Sequence, residues 1–189
     1  KIAADGEILV KGSIVMLGYY KNEEMTQKTV VNDYFHTGDI GEIDEEGFLK
    51  ITDRKKEMFK TSGGKYIAPA VLENELKQSR FIEQVMIIGE SEKMPAALIQ
   101  INFDFAKEWA LRKKLPVNNI ITHERFINRI QKEIDFYNQR FGKWEQIKKF
   151  EITPDEWSVE EGLLTPTMKM KRKIIKEKYK NLYQKIFNS

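Results

Sequence analysis

The stretch DRKKEMFKTSGGKYIAPAVLENEL, residues 53–76, decides the fold because it joins a charged cluster, a hairpin and a helix in immediate succession. Apolar residues on both sides of Ser62-Gly63-Gly64 predict two short strands, and consecutive glycines relax the geometry of the turn between them. Pro69 is typical of the first turn of a helix, and the apolar residues after it keep roughly helical spacing up to Ser79. This stretch therefore predicts a hairpin that leads directly into a helix.

The residues around this stretch predict an α+β protein. Between Gly6 and Arg54, short apolar runs alternate with glycines and charges, which predicts a small β-rich segment. After the helix, apolar runs at 81–89 and 96–101 predict two buried strands, so the order is ββαββ. The remaining predicted elements are helices over 105–114 and 122–141, a strand near 147–152, and a last helix from about 172 to 187.

Composition limits the classes of function that fit. With 189 residues and 41% hydrophobic content, the chain can bury a real core. A formal net charge of +3 indicates no general attraction to nucleic acid or acidic membranes. The absence of cysteine excludes disulfides and thiolate zinc sites, and two isolated histidines argue against a metal site. The longest apolar runs are far shorter than the roughly 20 residues that a membrane span needs.

Two polar motifs have the chemistry of a ribose-binding site. Phe35-His36-Thr37-Gly38-Asp39 places a carboxylate in a tight turn, and one carboxylate can accept hydrogen bonds from both hydroxyls of a ribose diol. Asp53-Arg54-Lys55-Lys56 offers a guanidinium fork to ribose or phosphate oxygens. Taken singly, the first motif is a common turn and the second is a solvated charge cluster.

A third motif, GLLTPTMKMKR at residues 162–172, carries Lys169 between two methionines. An ammonium on a long flexible stem, placed on a loop, can stabilise negative charge that develops on phosphate and carboxylate oxygens. The alternative is a basic first turn of an amphipathic helix. On this segment alone, that alternative is favoured.

Taken together and in this order, the motifs resemble those of the adenylate-forming enzymes, which include acyl-CoA synthetases and luciferases. GEILVKG with Gly18-Tyr19-Tyr20 is similar to the strand and turn before that family's TGD motif, and HTGD resembles its ribose-binding motif. Residues 53–76 resemble the crossover into its C-terminal domain, and LLTPTMKMKRK resembles the closing lysine motif of its long-chain fatty acid branch. The resemblance covers nearly the whole chain and is least specific over residues 103–149.

The resemblance implies a division of the chain after residue 55. Residues 1–55 would be the β-rich end of a large N-terminal adenylation domain. Residues 56–189 would be a mobile C-terminal domain, with a short β-sheet flanked by helices. Lys56 would lie at the hinge, where this domain rotates between a state for adenylation and a state for thioester formation.

The resemblance also implies roles for individual residues. Asp39 would bind the ribose hydroxyls of the adenylate, and Arg54 would contact the same ribose. Lys169 would be the catalytic lysine that bridges the carboxylate substrate and the α-phosphate. Gly63 and Gly64 would leave room for the pantetheine arm of CoA, and which of the two lines that tunnel stays open.

The implied activity is that of an AMP-forming fatty acid CoA ligase, which uses ATP and Mg²⁺ to make an acyl-adenylate and then transfers the acyl group to CoA. The family's Ser/Thr/Gly-rich loop for triphosphate is absent, and the turn at residues 61–65 lacks the spacing of a P-loop. ATP and Mg²⁺ would therefore be bound mainly by an N-terminal domain in cis that this chain lacks. We expect the chain alone to be inactive, with no metal ligand of its own. His36 receives no chemical role, because a turn histidine is more often structural.

Two other functions stay open. Residues 169–180 hold seven basic residues and one acid, which fits a basic module for anionic membrane or nucleic acid. Against it, apolar residues at helical spacing indicate a helix that packs on its own domain, so no nucleic acid partner is expected. The other alternative is a structural or regulatory domain in which Lys169 is dispensable. The abrupt start suggests a chain cut from a longer protein, and the expected location is the cytoplasm, with peripheral membrane contact left open.

Overall fold

The computed structural model describes residues 1–188, and these residues form two units, Lys1–Met58 and the residues from Phe59 onward. The resemblance described above implies a division after residue 55. Among residues 1–188, no strand of the first unit pairs with a strand of the second. The first unit contains one four-stranded sheet, and the second contains a two-stranded and a three-stranded sheet.

The first unit is built around one long strand, β3. Its elements are β1 (Glu7–Val10), α1 (Glu23–Thr29), β2 (Val30–Val31), β3 (Tyr34–Ile43) and β4 (Leu49–Arg54). β3 pairs antiparallel with each of the other three strands. The connection to β4 is short because Asp44 accepts hydrogen bonds from the N–H groups of Glu46 and Phe48. The HTGD motif therefore lies on the strand that the whole sheet shares.

The helix α1 was not predicted, because the sequence indicated only strands and turns up to Arg54. It has seven residues and none of them is buried, so no apolar periodicity marks it. Local interactions form it instead. Asn22 accepts the N–H of Met25 at 3.0 Å, and Glu23 and Glu24 lie in the positively polarised first turn.

The second unit begins with the predicted hairpin and helix. β5 (Phe59–Lys60) and β6 (Tyr66–Ile67) pair antiparallel, and α2 (Pro69–Leu76) follows, so this prediction is confirmed. The elements that follow are β7 (Ile82–Ile88), β8 (Ala96–Ile101), α3 (Phe103–Arg112), a 3-10 turn (Ile120–Thr122), α4 (Glu124–Asn138), β9 (Phe150–Ile152), α5 (Arg172–Lys178) and α6 (Lys180–Phe187).

A three-stranded sheet separates two hydrophobic cores in this unit. β8 lies in the centre, antiparallel to β7 and parallel to β9, and all its residues are buried. Alternate side chains of a strand point to opposite faces. Ala97, Ile99 and Ile101 therefore belong to the core that α2, α3 and α4 cover, whereas Leu98 packs into a second core with Trp157 and the helices α5 and α6. The predicted α+β class is confirmed.

Helix boundaries differ from the predicted ones for local reasons. α3 begins at Phe103, earlier than predicted, because Asn102 accepts the N–H of Phe105 at 2.9 Å. The helix predicted over 172–187 is two helices that meet at Tyr179, whose ring stacks on Trp157 at a centroid distance of 6.2 Å. No helix-breaking residue marks this interruption in the sequence.

Candidate functional site

The pairing of β3 with β4 brings Asp39 and Arg54 together. The two residues are cross-strand partners, and Nε of Arg54 lies 2.8 Å from Oδ1 of Asp39. The Asp39 side chain is 25% exposed and that of Arg54 is 60% exposed, so both reach solvent. Within the first unit, the other oxygen of Asp39 and the terminal nitrogens of Arg54 have no partner. The pair thus presents acceptor oxygens and N–H donors side by side.

The tight turn expected at Asp39 is instead an irregularity within β3, and hydrogen bonds fix the backbone there. Gly38 has a φ of 73°, a conformation that residues with a Cβ rarely adopt. Thr37 donates from its hydroxyl to the carbonyl of Ile8 at 2.8 Å, and the same hydroxyl accepts the N–H of Asp39 at 3.0 Å. The Thr37 hydroxyl fixes this backbone through two hydrogen bonds, and Gly38 allows the positive φ. The Asp39 side chain is therefore held in a defined direction.

Glu7 also holds this part of β3, although no sequence motif indicated it. One carboxylate oxygen accepts the N–H of Gly38 at 2.9 Å, and the other lies 3.0 Å from Nδ1 of His36 and 2.9 Å from Nζ of Lys55. The Glu7 side chain is only 5% exposed. Burial opposes its ionisation, but hydrogen bonds from Lys55, His36 and Gly38 outweigh burial, so the pKa of Glu7 is lowered. The only sequence signal was a lone carboxylate before the apolar run ILV, and the contact gives His36 a structural role.

Lys56 lies in a tight turn immediately after β4. The N–H groups of Glu57 and Met58 both donate to the carbonyl of Arg54, at 2.8 and 3.1 Å. Neither Lys55 nor Lys56 has a positive φ, which together with the bond to Glu57 is typical of a type I turn with Lys56 at its third position. The N–H of Lys56 makes no hydrogen bond with residues 1–188. A change of conformation at Lys56 therefore breaks no bond of its own N–H.

Gly63 and Gly64 occupy the turn between β5 and β6. Thr61 closes this turn, since its N–H donates to the carbonyl of Lys65 and its carbonyl accepts the N–H of Gly64, both at 2.9 Å. Gly64 has a φ of 80°, which favours glycine. Gly63 has no positive φ, and a Cβ there would meet only the Thr61 hydroxyl, at 4.0 Å. The second unit itself gives no reason for a glycine at position 63.

Lys169 lies in a hydrogen-bonded turn and not in a helix. Thr165 donates its N–H to the carbonyl of Lys169 at 2.8 Å and accepts the N–H of Lys169 at its hydroxyl, at 3.1 Å. Leu164 and Met170 form an antiparallel bridge across the turn, and α5 begins only after it. The alternative of a basic first turn of a helix is therefore wrong for this residue. The Lys169 ammonium is exposed and has no hydrogen bond or ion pair with the described residues of the second unit.

A partly buried ion pair follows this turn, and no sequence motif indicated it. Arg172, the first residue of α5, donates from its two terminal nitrogens to the two carboxylate oxygens of Glu73 on α2, at 2.8 and 2.6 Å. The Glu73 side chain is 6% exposed and also accepts the N–H of Ile87 at 2.7 Å. No local pattern marks the pair, because the partners are 99 residues apart.

The basic segment 169–180 packs on its own domain. Ile175 and Tyr179 are buried in the second core, and Nζ of Lys178 lies 3.4 Å from a carboxylate oxygen of Glu161. These contacts give no support to the alternative of a basic binding module. No helix in the described part of the chain is long and apolar enough to cross a membrane.

The described residues also offer no metal site. Among residues 1–188, no three histidine, aspartate or glutamate side chains are grouped so that they could hold an ion.

The second unit thus combines a sheet covered on both faces, a glycine turn and an exposed lysine before α5. The family of AMP-binding enzyme C-terminal domains matches residues 56–189, and the chain belongs to this family. It is 39% identical to the long-chain-fatty-acid–CoA ligase FadD15 of Mycobacterium tuberculosis, over 100% of this chain and 32% of that protein. It is 35% identical to fatty acyl-CoA synthetase B of Dictyostelium discoideum, over 97% of this chain and 28% of that protein.

The chain thus spans less than a third of the length of these curated relatives. Among solved structures, it is similar to the adenylation domain of the carboxylate reductase of Mycobacterium chelonae, with a TM-score of 0.79 and 23% identity. That match covers 97% of this chain and 28% of the reductase chain. At this identity the likeness shows a shared fold.

Glu7→Gln should destabilise the first unit most at neutral pH. Because the folded pKa of Glu7 is lowered, its ionised form stabilises the fold above the unfolded value of 4.5, and this stabilisation is lost as pH falls through the lower folded value. We expect the free energy of unfolding to fall by roughly 1–3 kcal/mol at neutral pH and by less in acid. Urea unfolding followed at amide signals of the first unit, from neutral to acidic pH, measures this.

Glu42→Gln is the matched control for this experiment. Glu42 is exposed and lies 3.9 Å from Lys50, and exposed pairs contribute only about 0–1 kcal/mol. A loss for Glu7→Gln that is the same at neutral and acidic pH would contradict the ionised state assigned to Glu7.

Proposed function

We propose that this chain is the C-terminal part of an AMP-forming fatty acid CoA ligase. In the first half-reaction of such an enzyme, a carboxylate oxygen of the acid attacks the α-phosphate of ATP, and pyrophosphate leaves. In the second, the thiol of CoA attacks the acyl carbon, a thioester forms, and AMP leaves. Membership of the AMP-binding family and 39% identity to a long-chain fatty acid CoA ligase support the proposal. The single observation that carries it is the exposed ammonium of Lys169, which lies at a hydrogen-bonded turn and has no ion pair with the described residues of its own unit.

Lys169 acts in the first half-reaction as the catalytic lysine. Its ammonium contacts the carboxylate of the acid and an oxygen of the α-phosphate, and so offsets the negative charge that develops as the anhydride bond forms. A cation already paired within its own domain would first have to break that pair. Lys169 has no such partner among the described residues of its unit, so it is available to the reacting anions.

Asp39 and Arg54 bind the ribose of the adenylate. Nε of Arg54 orients the carboxylate through one oxygen, which leaves the other oxygen for the ribose hydroxyls. The terminal nitrogens of Arg54 then donate to oxygens of the same ribose. Because the pair is already formed in the sheet, little reorganisation is needed when the nucleotide binds.

Gly63 lines the path of the pantetheine arm of CoA, and Gly64 shapes the turn. This assignment follows from the difference between the two positions: the backbone of Gly64 favours glycine, whereas Gly63 faces open space and has an ordinary φ. A glycine without a structural reason suits a position where a ligand passes close to the backbone.

Lys56 is the hinge between the two states of the enzyme. A hinge residue absorbs a change of backbone dihedral angles while its neighbours keep theirs. The N–H of Lys56 suits this role because it makes no hydrogen bond with residues 1–188, so a rotation there opens only the turn bonds to the Arg54 carbonyl. On this proposal the boundary between the two domains lies after residue 55.

The remaining parts of the reaction belong to an N-terminal domain in cis. That domain supplies the triphosphate loop, Mg²⁺ and the acyl pocket, and the greater length of the relatives supports this division of labour. The substrates are a fatty acid, with a long chain the best supported, together with ATP and CoA. The chain by itself is inactive, and the enzyme works in the cytoplasm, with peripheral contact to the membrane that holds its lipid substrate.

Lys169→Ala in the longer enzyme should reduce adenylate formation by about a hundredfold or more, because one preorganised electrostatic contact is lost. Thioester formation from supplied acyl-adenylate should be retained. The two half-reactions are measured separately, by pyrophosphate exchange and by thioester release. Lys173→Ala is the matched control, since Lys173 is an exposed lysine on the adjoining helix. Equal losses in both half-reactions would reject the assigned role.

Gly63→Ala should slow thioester formation on the order of tenfold or more, since the added methyl group displaces the arm of CoA, while the stability of the second unit stays unchanged. Gly64→Ala should show the opposite pattern, with a loss of roughly 1 kcal/mol of stability from its positive φ. Half-reaction rates and thermal unfolding distinguish the two. A Gly63→Ala variant with the normal rate of thioester formation would remove this residue from the CoA path.

Lys56→Pro should lower overall turnover while at least one half-reaction, measured alone, persists. Proline is disfavoured at the third position of a type I turn because it pushes the preceding residue, Lys55, out of the helical region. The variant therefore disfavours the turn described here and restricts the change between states. Lys56→Ala keeps the backbone free and should turn over normally. Normal turnover of the proline variant would count against the hinge.

A further inference from the structure

The ion pair between Glu73 and Arg172 fixes the start of α5 in both distance and direction. Its two parallel hydrogen bonds, at 2.8 and 2.6 Å, define the plane of the guanidinium as well as its position. Glu73 is itself held, because it accepts the N–H of Ile87 on β7 at 2.7 Å. Arg172 is thereby connected to both α2 and the central sheet of the second unit.

Little conformational freedom lies between this ion pair and Lys169. Lys171 donates its N–H to the carbonyl of the buried Leu163 at 2.9 Å. On the other side, Thr165 forms hydrogen bonds with both the carbonyl and the N–H of Lys169. A displacement of Arg172 is therefore passed along a short, hydrogen-bonded segment to the residue that carries the ammonium.

Stability alone is a weak reason for a partly buried ion pair at this place. The buried carboxylate of Glu73 and the partly buried guanidinium of Arg172 both lose hydration, and apolar side chains of similar volume are often as stable or more so. What a bidentate pair adds is a defined geometry, which a contact between apolar side chains provides less strictly. Arg172, whose guanidinium is fixed by this geometry, lies three positions after Lys169 in the chain.

We propose that Glu73 and Arg172 are positioning residues that hold Lys169 in place for adenylate formation. This inference rests on the proposed function, since it requires Lys169 to act in that half-reaction. Neither residue touches the reacting atoms. They fix the backbone from which the lysine extends, and a misplacement of about 1 Å at a catalytic group costs on the order of a hundredfold in rate.

The test uses Arg172→Lys and Glu73→Gln in the longer enzyme. Arg172→Lys keeps the positive charge but removes the planar fork, and Glu73→Gln keeps the shape but removes the charge. For each, we expect kcat for adenylate formation to fall about tenfold to a hundredfold, with KM for ATP nearly unchanged. Thioester formation from supplied acyl-adenylate should stay at the normal rate, which a general loss of structure would not allow.

A neighbouring surface pair provides the matched controls. Glu75 lies on α2, the same helix as Glu73. It forms an ion pair with Arg140, which lies two residues after the end of α4. Glu75→Gln and Arg140→Lys make the same chemical changes in a pair that lies far from Lys169 in the chain. Both half-reactions should be unaffected in these variants.

The outcomes separate this inference from the proposed function. If Lys169→Ala abolishes adenylate formation but Arg172→Lys and Glu73→Gln leave it unchanged, the positioning role is wrong and the proposed function stands. If Lys169→Ala leaves adenylate formation unchanged, the proposed function fails and the inference fails with it. If the pair variants slow both half-reactions equally, the pair is purely structural and the inference is overturned.

A second measurement uses the 189-residue chain itself and no activity. Amide hydrogen exchange at Lys169 reports whether the hydrogen bond from its N–H to the Thr165 hydroxyl stays closed. We expect exchange there to become at least about tenfold faster in Arg172→Lys than in Arg140→Lys. Equal exchange in the two variants would show that the ion pair does not hold the turn, and would overturn the inference.

Discussion

The second unit depends on the need to cover both faces of β8. All residues of this strand are buried, and its alternating side chains supply both cores. The helices α2, α3 and α4 cover one face, so the chain after β9 must reach the other face before α5 and α6 can cover it. The segment that does this buries Leu163 and Leu164 and leaves Lys169 outside. The position of the exposed lysine is thus a consequence of how the sheet is covered.

One buried carboxylate in each unit connects the backbone to a basic side chain from a distant segment. Glu7 accepts hydrogen bonds from a backbone N–H of the HTGD motif and from Lys55. Glu73 accepts hydrogen bonds from a backbone N–H of β7 and from Arg172. An ionised carboxylate has acceptor capacity for several donors at once, so one side chain can join a strand or turn to a basic residue from another segment. In the first unit, Glu7 holds the strand that carries Asp39, the residue proposed to bind the ribose. In the second unit, Glu73 holds Arg172, which lies three positions after Lys169, the residue proposed to contact the acid.

Sequence patterns predicted the hairpin and helix at the start of the second unit, but not α1, although its capping at Asn22 is equally local. The hairpin at Gly63 and Gly64 and the helix that starts at Pro69 follow from turn and capping preferences, which act over a few residues. The interruption of the last helix at Tyr179 could not be predicted, because it accompanies stacking on Trp157 in another segment. The same holds for ion pairs between residues that are distant in sequence.

The candidate ribose site shows both situations in one place. Asp39 and Arg54 could each be named from a motif, but their contact depends on the register between β3 and β4. That register shifts between Ile40 and Gly41, and beyond the shift Asp39 stands directly opposite Arg54. A motif therefore identified the residues, while their distance required the structure.

Met168, next to the exposed lysine, has a φ of 61° and a side chain that is 59% exposed. A left-handed conformation in a residue other than glycine costs on the order of 1 kcal/mol, and the N–H of Met168 partly offsets this by donating to the carbonyl of Thr165 at 2.8 Å. Glycine or asparagine would relieve the strain at this position, whereas a β-branched residue would increase it. For protein engineering, the choice of residue at position 168 is therefore restricted mainly by the backbone conformation. The contacts of the exposed side chain matter less.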